Sequence, residues 1–203
     1  MTIQYHGDAC IRLSGKIGPR EYTVLLDPYD AKATGLKPMR PSSVDLVIST
    51  TGTLPEFGAG PFRVIGPGEY EVHGVAVAGV SVGNRTVYRL DADELTIAHL
   101  GNLEKPLDEA ALDQLGDVDA LIIPIGGHGV LTAKQASELI EQIEPKVVIP
   151  IQYKLAGVKL PYDGPEAFCK EMGCSAKAAE EKVRLTAKDL PEEGVEVKLL
   201  SVS

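Results

Sequence analysis

Tryptophan is absent from the 203-residue chain, and aromatic residues of all kinds make up 5% of it. So sparse a set excludes a broad stacking platform for bases or sugars, leaving Tyr5, Tyr29, Tyr88 and Tyr153 as walls for a smaller pocket. Basic residues are also in deficit: 20 Lys and Arg stand against 29 Asp and Glu, for a net charge of −9. Neutralising phosphates needs a basic surface, and the chain has no basic run, so no nucleic-acid partner is expected. Cysteine is limited to Cys10, Cys169 and Cys174, an odd count without a C-x-x-C pair. That count argues against a disulfide framework and for a reducing, cytoplasmic setting. Cys10 lies in an apolar run and reads as a small core residue. No apolar stretch approaches the roughly 20 residues of a membrane span, and Met1-Thr2-Ile3-Gln4 leads straight into patterned sequence, so neither a membrane partner nor a leader is expected.

What the chain does have is glycine and proline, 21 and 14 residues, together with a 44% hydrophobic content. Many tight turns between short elements are implied, around a sizeable core. Thr2–Tyr5, Cys10–Leu13 and Tyr22–Leu26 read as strands, with a turn over Ser14–Pro19. A loop runs from Ala31 to Ser43, with Pro38 and Pro41. Val44–Ile48, Phe62–Ile65 and Val72–Val80 follow as strands, the last two joined by a turn at Gly66–Glu69. Arg85–Leu90 and Glu94–Ala98 form a hairpin connected by Asp91-Ala92-Asp93. The second half changes period. Pro106–Leu115 is a helix opened by proline, Ala120–Pro124 a buried strand, and Thr132 with Gln135 a capping box for a helix through Ile143. Lys146–Ile151 completes a parallel strand–helix–strand unit. A helix over Pro165–Met172 ending at Gly173, a charged segment 176–182 and a strand over Val195–Val202 close the chain. The pattern is that of an α/β protein, or α+β by some schemes, forming one domain over residues 1–203.

Chemistry-bearing residues are few. His6, His73, His99 and His128 show no i, i+2 or i, i+4 chelating pair, and His73 beside Gly74 reads as a turn residue. Asp27 ends an apolar strand before Pro28, where a carboxylate either points into a cleft or holds its own turn. Asn102 and Gln152 are neutral amides at strand ends, neither acid nor base. Gly126–Gly129 opens a helix without the order of a nucleotide loop, and no G-x-S-x-G elbow supports a serine hydrolase.

Taken in order, Tyr5–Leu13, Leu25–Tyr29, Val44–Ser49, Gly66–Val72, Ile97–Leu103, Ile123–Gly127, Val148–Lys154 and Asp189–Pro191 resemble the metallo-β-lactamase fold family. The likeness is to its small branch of zinc-dependent hydrolases related to ascorbate-6-phosphate lactonase. The resemblance implies a four-layer αββα sandwich. It also implies a metal site, and there the chain departs from the pattern. The family's H-x-H-x-D-H follows the strand that ends at Ser49, and here Thr50, Gly52, Leu54 and Pro55 occupy its four ligand positions. The loop after Val80 is short and has no histidine, the family's bridging aspartate is Asn102, its final histidine is Gln152, and an early Gly-His reads Gly7-Asp8. Zinc needs three or more nitrogen, carboxylate or thiolate ligands before it can acidify water. Three readings follow. The first is a non-catalytic, metal-free protein with a binding or structural role, its expected partners a second copy of itself in a homo-oligomer and an unidentified small-molecule ligand. The second is a hydrolase of a small polar ester, lactone or phosphate-bearing substrate using Asp8, Asp27, His99 or Lys154. The third is a relocated zinc or manganese site using His6, His99 or His128.

Overall fold

The computed structural model describes residues 1–38, 43–56, 60–176 and 180–202. In chain order the elements are β1 (Thr2–Gly7), β2 (Cys10–Ile17), β3 (Arg20–Leu26), the single-turn α1 (Ala31–Thr34), β4 (Leu46–Ile48) and β5 (Phe62–Val64). Then come β6 (Gly68–Val72), β7 (Val75–Val82), β8 (Arg85–Ala92), β9 (Leu95–His99), α2 (Glu109–Leu115), β10 (Ala120–Pro124), α3 (Ala133–Ile143) and β11 (Val147–Ile151). The last are α4 (Glu166–Met172), β12 (Lys182–Arg184) and β13 (Glu196–Val197).

Two mixed sheets result, ordered β12-β1-β2-β3-β4-β5 and β13-β11-β10-β9-β8-β7-β6. Alternation along β1 to β4 sends Ile3, Ile11, Leu13, Val24, Leu26, Leu46 and Ile48 to one face. There they join Val77, Tyr88, Leu90 and Ile97 of the other sheet in one buried cluster. Each such side chain contributes about 1.5–3 kcal/mol of burial free energy. All five residues of β10 and of β11 are buried, as expected of parallel strands covered on both faces. The opposite face of the first sheet carries a separate small cluster, Cys10, Leu25 and Val47 with Tyr29, Val44 and Leu54. This is the α/β sandwich that the sequence resemblance implied.

Local chemistry explains where the elements start and stop. Thr132 caps α3 with its hydroxyl on the Gln135 N–H, and Gln135 returns the bond, as the sequence predicts. β10, α3 and β11 form the expected parallel unit. Elsewhere the sequence expectations need correction. Ser14–Ile17 is strand, paired through Ile17 opposite Arg20, so the turn shrinks to Gly18-Pro19. The Gly66–Glu69 turn is displaced, because Gly68 and Glu69 are already in β6. The hairpin turns instead at His73-Gly74, where both residues have positive φ (54° and 85°). That is the geometry whose twist matches paired strands. Asp93-Glu94 (φ 55° and 59°) does the same between β8 and β9, so Asp91 and Ala92 belong to the strand. α2 starts at Glu109 rather than Pro106, because the Asp108 side chain accepts the Ala111 N–H at 2.9 Å and supplies the cap.

The expected loop after Asp30 contains the one-turn α1, capped by Asp30 through the Lys32 N–H. Pro41 and residues 177–179 of the charged segment lie outside the described residues. The closing strand is confined to Glu196–Val197, followed by single bridges at Leu200 and Val202. Cys169 and Cys174 are paired as a disulfide, contrary to the expectation drawn from the odd count. The left-handed Gly173 ends α4 and brings Cys174 back onto its last turn, where its N–H meets the Cys169 carbonyl at 2.9 Å. No helix among the described residues is long and apolar enough to cross a membrane.

Candidate functional site

The carboxyl ends of β3, β4, β9 and β11 deliver Asp27, Thr50, His99, Asn102 and Gln152 to one edge of the sandwich, the edge at which open α/β sheets commonly bind ligands. Asp27 stands just past β3 with φ 42°, its N–H on the Ile48 carbonyl at 2.9 Å. This tie to the neighbouring strand fixes a buried carboxyl, 6% exposed, beneath the edge. Its Oδ1 accepts the Thr50 N–H at 2.7 Å, and its Oδ2 accepts the Thr50 hydroxyl at 2.7 Å. His99 Nε2 lies 2.8 Å from the same Oδ2. The Thr50 oxygen already receives the Asn102 N–H at 3.2 Å and the Asn102 Nδ2 at 3.1 Å, so its own proton points to Asp27. With Asp27 as a carboxylate, all three contacts are satisfied when Nε2 of His99 carries the proton. His99 Nδ1 is buried without a hydrogen-bond partner among the described residues.

The path continues through the amides. Asn102 Oδ1 accepts Gln152 Nε2 at 2.9 Å, and the same nitrogen reaches Asp8 Oδ1 at 3.1 Å and the Tyr162 hydroxyl at 3.0 Å. Tyr162 in turn donates to Asp8 Oδ1 at 2.9 Å. Gln152 is wholly buried, and its N–H is held by the Asp8 carbonyl at 3.0 Å and the Tyr5 hydroxyl at 3.1 Å. An unbroken hydrogen-bonded path therefore runs from His99 through Asp27, Thr50, Asn102 and Gln152 to Asp8 and Tyr162. Asp8, Asp27 and Gln152 all adopt positive φ (53°, 42° and 52°), a strained choice for residues with side chains. Gly101, itself at φ 43°, is glycine because a Cβ there would run into Thr50 and Asp27.

Burial pushes the Asp8 carboxyl above the usual carboxylate range. The Tyr162 and Gln152 hydrogen bonds oppose this, and the nearby Asp27 charge adds to it. Tyr162 is pushed up by burial and by Asp8. A raised acid favours the folded state fully below its unfolded value of about 3.9, and that stabilisation is lost as the pH climbs through the folded value. Asp8→Asn keeps the acceptor oxygen but removes the titration. Denaturant midpoints for Asp8→Asn and the parent should converge at acidic pH, and the variant should gain on the parent as pH rises above about 4. A difference that does not change with pH would show that Asp8 titrates like a surface carboxyl.

Beside the path opens a cleft of about 860 Å³, lined by Asp8, Asp27, Asp30 and Glu56, with Lys32 and the hydroxyls of Ser49, Thr51 and Thr53. Leu54, Pro55, Tyr29 and Tyr162 contribute to its walls. Of the four candidates for chemistry, Asp8 and Asp27 line this cleft and His99 backs Asp27 from the interior. Lys154 does not join them. Its backbone N–H is tied to the Asp163 carbonyl, and its side chain is exposed beyond the network. The histidines do not converge either: His99 is in the core, His6 lines a separate groove, and His128 is exposed beside Asp163. His73 sits in its turn beside Asp45. Tyr162 was not legible in the sequence, since it lies in an aperiodic loop whose only local signal is the neighbouring Pro161 and Gly164.

The donor set does not suit zinc. Gly52, Leu54 and Pro55 have no side-chain donor atom. The Thr50 and Asn102 oxygens are engaged by N–H groups, and Gln152 turns its NH2 to the centre, leaving its Oε1 buried without a partner among the described residues, a neutral amide oxygen that is a weak ligand for zinc. Among the described residues no group of three or more His, Cys, Asp or Glu side chains is arranged to hold a metal ion.

Comparison with known proteins gives a consistent fold. The signature of the β-lactamase superfamily domain matches residues 2–152. A protein of Thermococcus onnurineus named a metal-dependent hydrolase is 31% identical over 122 residues, 54% of this chain and 54% of the relative. A Pyrococcus furiosus protein of the same description is 34% identical over 98 residues, 48% of this chain and 43% of that one. The chain thus spans about half the length of the curated relatives it matches. Among solved structures, one from Thermotoga maritima, assigned to the Zn-dependent hydrolases of the metallo-β-lactamase superfamily, superposes with a TM-score of 0.77 at 26% identity. That alignment covers 98% of this chain and 100% of the other. A metallo hydrolase from Ignicoccus hospitalis shares the fold at a TM-score of 0.64 and 15% identity, over 91% of this chain and 99% of its own.

Proposed function

The chain belongs to the β-lactamase superfamily, and from that premise we propose that it is a metal-independent member with a non-catalytic role, binding a small molecule in the cleft beside Asp27. The observation carrying this reading is the closed path of hydrogen bonds that links Asp27, Thr50, Asn102, Gln152 and Asp8. The Asp27, Thr50 and Asn102 oxygens are each committed to a neighbour, and of the network's atoms Gln152 Oε1 and His99 Nδ1 are buried without a partner among the described residues. Opening the path to admit zinc would strand buried polar groups, at about 1–3 kcal/mol each. Four carboxyls and several hydroxyls face the cleft with one lysine, a lining suited to a neutral polyhydroxylated or cationic ligand.

A second reading rests on the 2.8 Å contact between Asp27 and His99. His99, wholly buried behind the carboxyl, would orient Asp27 to take a proton from water during hydrolysis of a small polar ester, lactone or phosphate-bearing substrate. The relatives' names favour hydrolysis of some kind. Both Asp27 oxygens are already engaged by Thr50, which ranks this reading second.

The discriminating measurement is metal content of the protein purified without chelator and again after zinc or manganese loading and desalting. It is paired with a panel of esters, lactones and phosphate esters assayed with and without chelator. Less than about one-tenth of an ion per chain, with no turnover, is the expected outcome. A stoichiometric ion or chelator-sensitive turnover would overturn the proposal. Chelator-insensitive turnover lost in Asp27→Asn would select the second reading.

A further inference from the structure

Across Tyr29 from the acidic cleft lies a second groove of about 600 Å³ on the outer face of the six-stranded sheet, and Tyr29 and Pro38 line both. Its character is reversed. The strand register sets Gln4, Arg12, Leu25 and Val47 side by side across β1, β2, β3 and β4, so Arg12 and Leu25 share this outer face. Arg12 is half-buried and has neither an ion pair nor a hydrogen bond among the described residues, whereas Arg85 is paired with Glu104 and Arg89 with Asp91. Lys37 and His6 are the other basic groups of the lining, and Leu36, Val44, Leu155 and Val202 supply apolar walls. No carboxylate lines this groove among the described residues, in a chain carrying 29 acidic side chains.

A half-buried guanidinium with no partner among the described residues is costly to keep. Its planar fork of donors fits a carboxylate with two parallel hydrogen bonds. We propose that this groove is a binding site for an organic carboxylate with an apolar body, the carboxylate held by Arg12 and the body laid against Leu25, Leu36, Val44 and Leu155. The site is separate from the Asp27 network and stands whether or not the proposal for that network holds.

The test titrates octanoate, 1-octanol and inorganic phosphate into the protein by calorimetry, using the parent, Arg12→Leu and Arg12→Lys. Octanoate is expected to bind the parent, to weaken about tenfold or more in Arg12→Leu, and to weaken less in Arg12→Lys, which keeps the charge but loses the fork. Octanol and phosphate should each bind more weakly than octanoate, and octanol should be indifferent to Arg12→Leu. Thermal midpoints confirm that the variants are folded, and Arg12→Gln serves if Arg12→Leu is not. Octanoate binding unaltered by loss of Arg12, or no octanoate binding to the parent, overturns the proposal. Phosphate binding as tightly as octanoate also overturns it, since the apolar walls would then contribute nothing.

Discussion

Asp27→Ala should destabilise the protein by about 3–5 kcal/mol, the loss expected when one partner of a buried charged or hydrogen-bonded group is deleted. The substitution removes little volume. What it leaves behind is the Thr50 N–H, the Thr50 hydroxyl and His99 Nε2, three buried donors that converge on the two Asp27 oxygens. His99 has no other recourse, because its Nδ1 is already without a partner among the described residues. Asp27→Asn retains an oxygen for the Thr50 N–H and can offer its NH2 to a His99 ring of the opposite tautomer, so its cost should be smaller, about 1–3 kcal/mol. Urea unfolding of both variants at neutral pH measures this. A loss below about 1 kcal/mol for Asp27→Ala would mean that water already satisfies these groups, and the closed path would have to be abandoned.

Gly126→Ala is the second large effect, and its origin is steric. Gly126 is the second residue after β10, and a Cβ placed there would run into the carbonyl oxygen of Gln152, with Tyr162 Cβ at 2.9 Å and Cγ at 3.0 Å. The first obstacle is backbone that is itself anchored, since the Gln152 N–H is held by Asp8 and Tyr5. The chain around Gln152 and Tyr162 must move, and the contacts of both with Asp8 move with it. Overpacking of this kind costs about 3 kcal/mol or more when neighbours cannot yield. Gly129→Ala, three residues on, is the control. Its φ of 104° strains a side chain, but nothing lies within 4 Å of its Cβ. Thermal unfolding should place Gly126→Ala well below Gly129→Ala, and equal losses would refute the packing account.

The parts of the fold written in local pattern were legible. The continuous apolar run Ala120–Pro124 and the Thr132/Gln135 box needed only neighbours a few residues away, and both form as read. The turn between β8 and β9 was misplaced where the chain used Asp93 and Glu94 in left-handed conformations, positions that glycine and proline did not mark, whereas His73 beside Gly74 does form a turn and divides the single strand expected over Val72–Val80. Asp27, Asn102 and Gln152 were recognisable as strand-end polar residues. Local pattern could not pair them, because the contacts span 23, 52 and 144 positions of sequence, from Asp27 to Thr50, Thr50 to Asn102 and Asp8 to Gln152, and the family resemblance alone implied that Thr50, Asn102, Gln152 and Asp8 share one site. Lys154, two residues past Gln152, is exposed and does not line the cleft, and its proximity in sequence carries no information on that point.

The path at the sandwich edge also bears on how the molecule opens. Asp8, Asp27 and Thr50 hang from the first sheet, while His99, Asn102 and Gln152 hang from the second, so every step between the two groups is a stitch across the layers. A sandwich held by apolar contact alone can let its layers slide or part at one end for little enthalpy. Here that end is closed by short, directional bonds that all fail together once the layers separate by an ångström or two. This edge of the sandwich is a seam between its layers, and cooperative unfolding of the two layers as one unit is the thermodynamic signature expected of it.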